Sequence, residues 1–215
     1  FQDPYESLNP RWTIKDIIKE PLDIHNIGSF SEREDAVVEI LRTVGLTPPE
    51  NYMSRYPHEI SGGQRQRVSI ARTLVMKPKF VVCDEPTSML DVSIRISIMD
   101  LMLNLAKELD VSYLYITHDL AVARYMCNRI AVMFNGKIVE IAETEELLNN
   151  PIHPYTKRLI SSIPIPDPSY KRERYEMNFD ELDNIIQNNP NEKMVNIGSE
   201  HFVATHETKD FFIES

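Results

Sequence analysis

Three polar residues stand after two apolar runs in a pattern that suits phosphate chemistry. Asp84 and Glu85 follow the run Phe80–Cys83, and His118 comes shortly after the run Tyr113–Ile116. Ligands of open α/β sheets bind at the carboxyl ends of the strands, so side chains there are candidates for a site. One carboxylate can hold Mg²⁺ through water, and the next can orient a water molecule for phosphoryl transfer. Each signal alone is ambiguous, because Asp-Glu also suits a solvated helix start and a lone histidine after a strand is more often structural.

A second candidate is the segment Ser61-Gly62-Gly63-Gln64, which opens an apolar pattern of helical spacing. The glycines let backbone N–H groups approach a ligand closely, and the serine adds a hydroxyl. The helix that follows directs the positive end of its dipole at an anion. The competing interpretation is a plain glycine-containing helix start.

The elements that position these residues can be read from periodicity. The two apolar runs predict strands buried on both faces of a parallel sheet, since they lack alternating polar residues. The segment from Ile94 to Leu109 predicts a helix, and strand, helix, strand implies a right-handed crossover. Asn135-Gly136 suits a two-residue type I′ turn between strands at Ile130–Phe134 and Lys137–Ile141.

Helices precede the first strand. Ser31-Glu32-Arg33-Glu34 predicts a capping box at the start of one helix, and Gly45 predicts its end. The helix that opens at Ser61 is stopped by Lys77-Pro78. Three arginines of that helix, Arg65, Arg67 and Arg72, suit a solvated face better than a nucleic-acid patch.

Composition excludes several classes of protein. The chain has 215 residues, a formal net charge of -10 and a pI near 5.1, so a general affinity for phosphate backbones is not expected. Cys83 and Cys127 lie in apolar stretches without metal-ligand spacing, which favours buried thiols in a reducing compartment. No apolar run reaches the roughly 18 residues needed to cross a bilayer, so we expect membrane association through a partner.

Five short motifs, in this order and spacing, resemble those of the ABC-transporter ATPase family. They are, from the N-terminus, the Q-loop glutamine Gln2, the signature motif Ile60-Ser61-Gly62-Gly63-Gln64-Arg65-Gln66-Arg67, the Walker B strand Phe80 to Glu85, the D-loop Ser88-Met89-Leu90-Asp91 and the switch histidine His118. The resemblance implies an α/β fold of the P-loop NTPase type, with ATP and Mg²⁺ as cofactors.

The resemblance also implies a role for each motif residue. Glu85 would position the attacking water, His118 would contact the γ-phosphate, and Asp84 and Gln2 would serve Mg²⁺. Ser61, Gly62, Gly63 and Gln64 would touch ATP held by an opposite subunit. Asp91 would cross the seam between the two subunits.

The C-terminal part narrows the resemblance. Asn150-Pro151-Ile152-His153-Pro154-Tyr155-Thr156 resembles the segment that introduces the extension of oligopeptide and dipeptide importer ATPases, and Met194 to Ala204 is similar to its closing hairpin. Many such proteins carry a cysteine cluster there that holds an iron–sulfur centre. No cysteine follows Cys127 in this sequence, so we expect no cluster.

The phosphate-binding loop of this family, G-x-x-x-x-G-K-[ST], does not occur in the sequence. Only Gly136 precedes a lysine, but Ile138 follows that lysine and Ala131 replaces the first glycine. We therefore expect the loop upstream of Phe1. The expected organisation is an ATPase domain over 1–149 that lacks its phosphate-loop part, a helical subdomain near 10–76 within it, and an extension over 150–215.

The expected function is the ATP-hydrolysing subunit of an importer for oligopeptides or dipeptides, on the cytoplasmic face of the membrane. Its partners would be a second ABC ATPase subunit, identical or different, the permease subunits and, indirectly, an extracytoplasmic binding protein, but no nucleic acid. One alternative is a non-transport ABC ATPase that acts on DNA or ribosomes. Another is an inert half that only docks against a complete partner.

Overall fold

The computed structural model describes residues 8–162 and 193–205, which fall into two compact units divided between His118 and Asp119. The elements of the first unit are α1 (Ile14–Ile24), α2 (Phe30–Thr43), α3 (Glu50–Met53), a 3-10 turn (Pro57–Glu59), α4 (Gly62–Leu74), β1 (Phe80–Asp84), α5 (Val92–Glu108) and β2 (Ser112–Ile116). Those of the second are α6 (Leu120–Met126), β3 (Arg129–Phe134), β4 (Lys137–Glu143), α7 (Thr144–Asn149), α8 (Pro154–Ser161), β5 (Lys193–Gly198) and β6 (His201–Thr205). Gln2 lies outside the described residues.

The helices before β1 share one apolar core with the face of the sheet that they cover. Its fully buried members include Ile14 and Ile18 of α1, Val37 and Leu41 of α2, and Val68 of α4. These positions recur at helical spacing, so each helix turns one apolar stripe to the common core.

The start of α2 differs from the sequence prediction. The capping box is formed by Ser29 and Glu32, not by Ser31 and Glu34: the Glu32 N–H donates to Ser29 Oγ at 3.4 Å, and the Ser29 N–H donates to Glu32 Oε2 at 2.7 Å. Both serines satisfy the spacing of the motif. The turn before the helix selects the earlier one, because Arg33 Nε donates to the carbonyls of residues 27 and 28 and holds the chain in place.

The end of α2 is as predicted. Gly45 has a φ of 75°, a left-handed conformation that glycine adopts without a Cβ penalty. Its N–H donates to the carbonyl of Arg42 at 2.9 Å, and the N–H of Leu46 donates to that of Leu41 at 2.8 Å. These two bonds satisfy carbonyls that the helix would otherwise leave unpaired.

The strands β1 and β2 are parallel and α5 connects them, as predicted, but the prediction that both faces are buried is wrong. The register pairs Val82 with Leu114 and places Phe80 on the same face, with exposed fractions of 53%, 50% and 58%. The opposite face, with Val81 and Tyr113, packs against the helical core. No described element covers the first face, which explains why continuous apolar runs coexist with half-exposed side chains.

The second unit contains a four-stranded antiparallel sheet in the order β3-β4-β6-β5. Asn135 and Gly136 have φ of 44° and 82°, the two positive values that a type I′ turn requires, so the predicted β3–β4 hairpin is confirmed. The segment from Met194 to Ala204 also forms a hairpin, β5–β6, in which Met194 pairs with Ala204.

One buried carboxylate joins three segments of the second unit. Glu140 on β4 has no exposed surface, and it accepts hydrogen bonds from the N–H of Ile152 at 2.8 Å, the N–H of His153 at 3.1 Å and Nε2 of His201 at 2.7 Å. A buried carboxylate is tolerated only when such partners surround it. Sequence patterns did not reveal this network. No helix within 8–162 is long and apolar enough to cross a membrane.

Candidate functional site

The carboxyl ends of β1 and β2 bring Glu85 and His118 into contact. The register pairs Asp84 with Ile116, and the N–H of Glu85 continues the ladder by donating to the carbonyl of Ile116 at 3.0 Å. His118 lies two residues beyond the end of β2, and its Nδ1 is 2.9 Å from Oε1 of Glu85. Asp84, the last residue of β1, stands beside this pair along the chain.

The contact defines which atoms remain for a ligand. A carboxylate oxygen accepts and cannot donate, so the hydrogen of this bond is on Nδ1 and Nε2 is left for another partner. The side chain of His118 is 76% exposed, whereas that of Glu85 is 30% exposed. An incoming anion would therefore reach the imidazole more easily than the carboxylate.

The backbone of Glu85 is in a left-handed conformation, with a φ of 44°. For a residue other than glycine this conformation costs on the order of 1–3 kcal/mol and persists only when the surrounding structure holds it. The turn that follows is closed by Ser88, whose N–H and Oγ both donate to the carbonyl of Glu85, at 3.2 and 3.0 Å. Sequence reasoning missed this conformation, because the Pro86 that follows Glu85 favours extended backbone for the residue before it.

The segment Ser61-Gly62-Gly63-Gln64 starts α4 with a capping box. Ser61 Oγ accepts from the N–H of Gln64 at 3.3 Å, and Gln64 Oε1 accepts from the N–H of Ser61 at 3.0 Å. A serine hydroxyl that accepts one hydrogen bond still has its O–H to donate, and the amide group of Gln64 retains its N–H donors. The segment is thus a helix start, as the plainer interpretation holds, and it still presents donors for an anion.

Gly63 also has a packing role that the sequence did not indicate. A Cβ at this position would lie 2.8 Å from Cγ2 of Ile94, closer than real Cβ contacts allow. Glycine therefore lets α4 approach α5. The absence of a side chain at Gly63 serves this packing whether or not a ligand binds nearby.

Asp91 is exposed at the start of α5, where it is the N-cap residue without a capping bond from its side chain. The structure thus brings Glu85 and His118 together, places Asp84 next to them, and puts the signature segment and Asp91 at the starts of two helices. Among residues 8–162 and 193–205, no group of three His, Cys, Asp or Glu side chains is arranged to hold a metal ion.

The donor set at the strand end nevertheless fits Mg²⁺. This ion usually keeps several waters and takes only one or two protein carboxylates together with substrate phosphates. Asp84 and Glu85 supply such carboxylates, adjacent along the chain at the end of β1.

Two family models match the chain. The model described as ABC transporter matches residues 1–88, and the model described as oligopeptide/dipeptide transporter, C-terminal region, matches residues 139–193.

Curated proteins give the same result. The chain is 48% identical over 210 residues to the oligopeptide transport ATP-binding protein OppF of Bacillus subtilis (strain 168), covering 97% of this chain and 68% of that protein. It is 47% identical over 213 residues to the dipeptide transport ATP-binding protein DppF of Lactococcus lactis subsp. cremoris (strain MG1363), covering 97% of this chain and 66% of that protein. The chain spans about two thirds of the length of these curated relatives.

Among solved structures, the chain resembles the ATP-binding cassette MJ0796 in a dimeric post-hydrolysis state bound to ADP and Pi. The TM-score is 0.56 at 32% identity, over 67% of this chain and 61% of that one. The α/β core with Glu85 and His118 at its strand ends is therefore an ABC-type ATPase core. The chain belongs to the ABC transporter ATP-binding family, in the branch of the oligopeptide and dipeptide transport proteins.

Proposed function

We propose that this chain is the greater part of an ATP-hydrolysing subunit that energises the import of oligopeptides or dipeptides. The observation that carries the proposal is the 2.9 Å contact between Glu85 and His118 at the carboxyl edge of a parallel sheet. At such an edge a carboxylate and an imidazole face the place where nucleotides bind in α/β folds. The names of the relatives and the matched C-terminal region support a peptide cargo.

In this mechanism the protein positions groups and stabilises charge, because phosphoryl transfer needs little covalent help. Glu85 orients the attacking water, and His118, whose Nδ1 donates to the Glu85 carboxylate, contacts the γ-phosphate. Asp84 and Gln2 would hold Mg²⁺, which would supply positive charge to offset that of the phosphates. The strained turn at Glu85 fixes the direction of its carboxylate.

The signature segment is proposed to serve the ATP of a second subunit, identical or different. The O–H of Ser61, the amides of Gly62 and Gly63 and the N–H groups of Gln64 converge at the positive end of α4, which suits a phosphate. Asp91 is exposed and its side chain makes no cap, so it is available to cross the seam between subunits. A dimer is also the form of the related cassette bound to ADP and Pi.

The remaining partners follow from the proposed transport function. They are permease subunits at the cytoplasmic face of the membrane, where the subunit is peripheral, and indirectly an extracytoplasmic binding protein. Nucleic acid is not a proposed partner, because the net charge is -10 and the arginines of α4 form hydrogen bonds within their own chain. Arg65 donates to the carbonyl of Pro57, Arg67 donates to the carbonyl of Val44, and Arg72 donates to the side chain of Glu20. No iron–sulfur cluster is proposed.

The test is Glu85→Gln in the full-length protein assembled with its transport partners. Losing the carboxylate that orients water should lower ATP hydrolysis by at least about a hundredfold, abolish uptake of a labelled tripeptide and leave ATP binding intact. The matched control is Glu108→Gln, the same change at an exposed position near the end of α5. Normal hydrolysis and uptake in the Glu85 variant would contradict the proposal.

A further inference from the structure

A side-chain hydrogen bond ties the loop after Glu85 to the strand that leads to His118. Thr87 is buried, and its Oγ1 lies 2.9 Å from the hydroxyl of Tyr115 on β2. Tyr115 stands three residues before His118 in the chain. The bond therefore links the segment that carries Glu85 at one end and Asp91 at the other to the element that positions the histidine.

The backbone and its hydrogen bonds connect Thr87 to both ends of this loop, so a shift of Thr87 would move both ends. Toward Glu85 the chain is short, and the turn is closed on the Glu85 carbonyl by Ser88 at 3.2 Å. Toward Asp91, the N–H of Leu90 donates to the carbonyl of Thr87 at 3.3 Å. A displacement of Thr87 would consequently change the position of the catalytic carboxylate and of the residue at the subunit seam together.

The strain at Glu85 makes this anchor important. A left-handed conformation in a residue other than glycine persists only when its surroundings hold it there. The N–H bond from Glu85 to Ile116 holds one side of the turn. The bond between Thr87 and Tyr115 holds the other, and the Thr87 end of this bond is buried, where hydrogen bonds are electrostatically stronger.

We propose that Tyr115 is a positioning residue for ATP hydrolysis: through Thr87 it fixes the loop 85–91 so that Glu85 and Asp91 keep their working positions. The inference rests on the proposed ATPase function. Because Tyr115 acts through Thr87, its effect is on the rate of the chemical step more than on the binding of nucleotide. Misplacing a catalytic group by a fraction of an ångström is enough to slow a reaction measurably.

The same strand supplies a matched control. Tyr113 lies on the same face of β2, pairs with Val81 and is packed against the helical core. Its hydroxyl is buried and has no hydrogen-bond partner in the part of the chain that the structure describes. Tyr113→Phe and Tyr115→Phe therefore remove the same atom from neighbouring sites, and only the second removal breaks a bond to the loop.

The experiment measures ATP hydrolysis by the full-length protein over a range of ATP concentrations. Tyr115→Phe should lower kcat by about fivefold, the loss expected for one buried hydrogen bond, with KM for ATP changed by less than about twofold. Tyr113→Phe should leave both constants unchanged. Thr87→Val should reproduce the loss, Thr87→Ser should restore most of the activity because it keeps the hydroxyl, and the double variant Tyr115→Phe with Thr87→Val should be no slower than either single variant.

The possible results separate this inference from the function on which it rests. If the wild type does not hydrolyse ATP, the proposed function fails. If the wild type is active and kcat of Tyr115→Phe equals that of Tyr113→Phe, the positioning role is overturned. If Thr87→Val lowers the unfolding temperature but leaves kcat unchanged, the hydrogen bond between Thr87 and Tyr115 contributes only to the stability of the fold, and the positioning role is likewise overturned.

Discussion

Glu85 combines a left-handed backbone with a side-chain contact to His118 at the carboxyl ends of β1 and β2. The order of apolar runs and polar residues placed Asp84, Glu85 and His118 at strand ends, because the carboxyl ends of parallel strands share one edge. It did not reveal the left-handed backbone of Glu85 or the bond from Thr87 to Tyr115. Those features depend on the register of β1 and β2, and register is set by the packing of the whole sheet.

Cys83 makes a prediction about alkaline stability. Burial raises the pKa of its thiol from an ordinary 9.0 to about 11. Well below pH 9 the thiol is neutral in both the folded and the unfolded protein. Above pH 9 the thiol ionises first in the unfolded protein, so the free energy of unfolding falls as the pH rises from about 9 to 11. In the full-length protein, Cys83→Ala should lose less of its unfolding temperature between pH 8 and pH 10.5 than the wild type. An equal loss in both proteins would show that the thiol does not titrate as its burial requires.

The start of helix α2 is the feature that the sequence predicted least well. Two nearby serines, Ser29 and Ser31, each have a glutamate three residues later, and the motif alone does not distinguish them. Arg33 and the turn before α2 make the choice in the folded chain. Gly45, in contrast, was read correctly because no other residue near the end of α2 adopts a positive φ so easily.

The correction at α2 can be tested by two alanine substitutions. Ser29→Ala removes the hydroxyl that accepts from the N–H of Glu32 and should destabilise the protein by about 1 kcal/mol. Ser31→Ala lies two residues farther along the same helix, where the serine is not the cap, and should change stability by less than about 0.5 kcal/mol. Denaturant unfolding of both variants measures this, and a larger effect at Ser31 would restore the boundary that the sequence suggested.

The strands β1 and β2 show a second limit of prediction from sequence. Apolar runs identified both strands and their parallel pairing, but Phe80, Val82 and Leu114 are half-exposed. An apolar run indicates that both faces of a strand can be buried, but it does not identify the element that covers each face. The Asn135-Gly136 turn was predictable in detail because its dihedral angles are a local property of two residues.

At the scale of the whole molecule, we propose that one chain serves two nucleotides. In the proposed arrangement, Glu85, His118 and Asp84 would act on the ATP bound to their own subunit, whereas Ser61 and its neighbours would act on the ATP of the other. Motif order and family resemblance suggested this division. The arrangement of subunits is not a property of one chain, so neither the sequence nor the fold alone could establish it.

The most direct measurement compares two ways of distributing the same two lesions, Ser61→Arg and Glu85→Gln or their equivalents, over a dimer. With one lesion in each subunit, head-to-tail sharing leaves one site intact and one doubly damaged, so ATPase activity should be partly retained. With both lesions in one subunit and none in the other, sharing damages both sites, so activity should fall to background. Unfolding temperatures control for loss of the α4 cap. The reverse pattern, activity only when one subunit carries both lesions, would show that Ser61 serves its own subunit and would contradict the account.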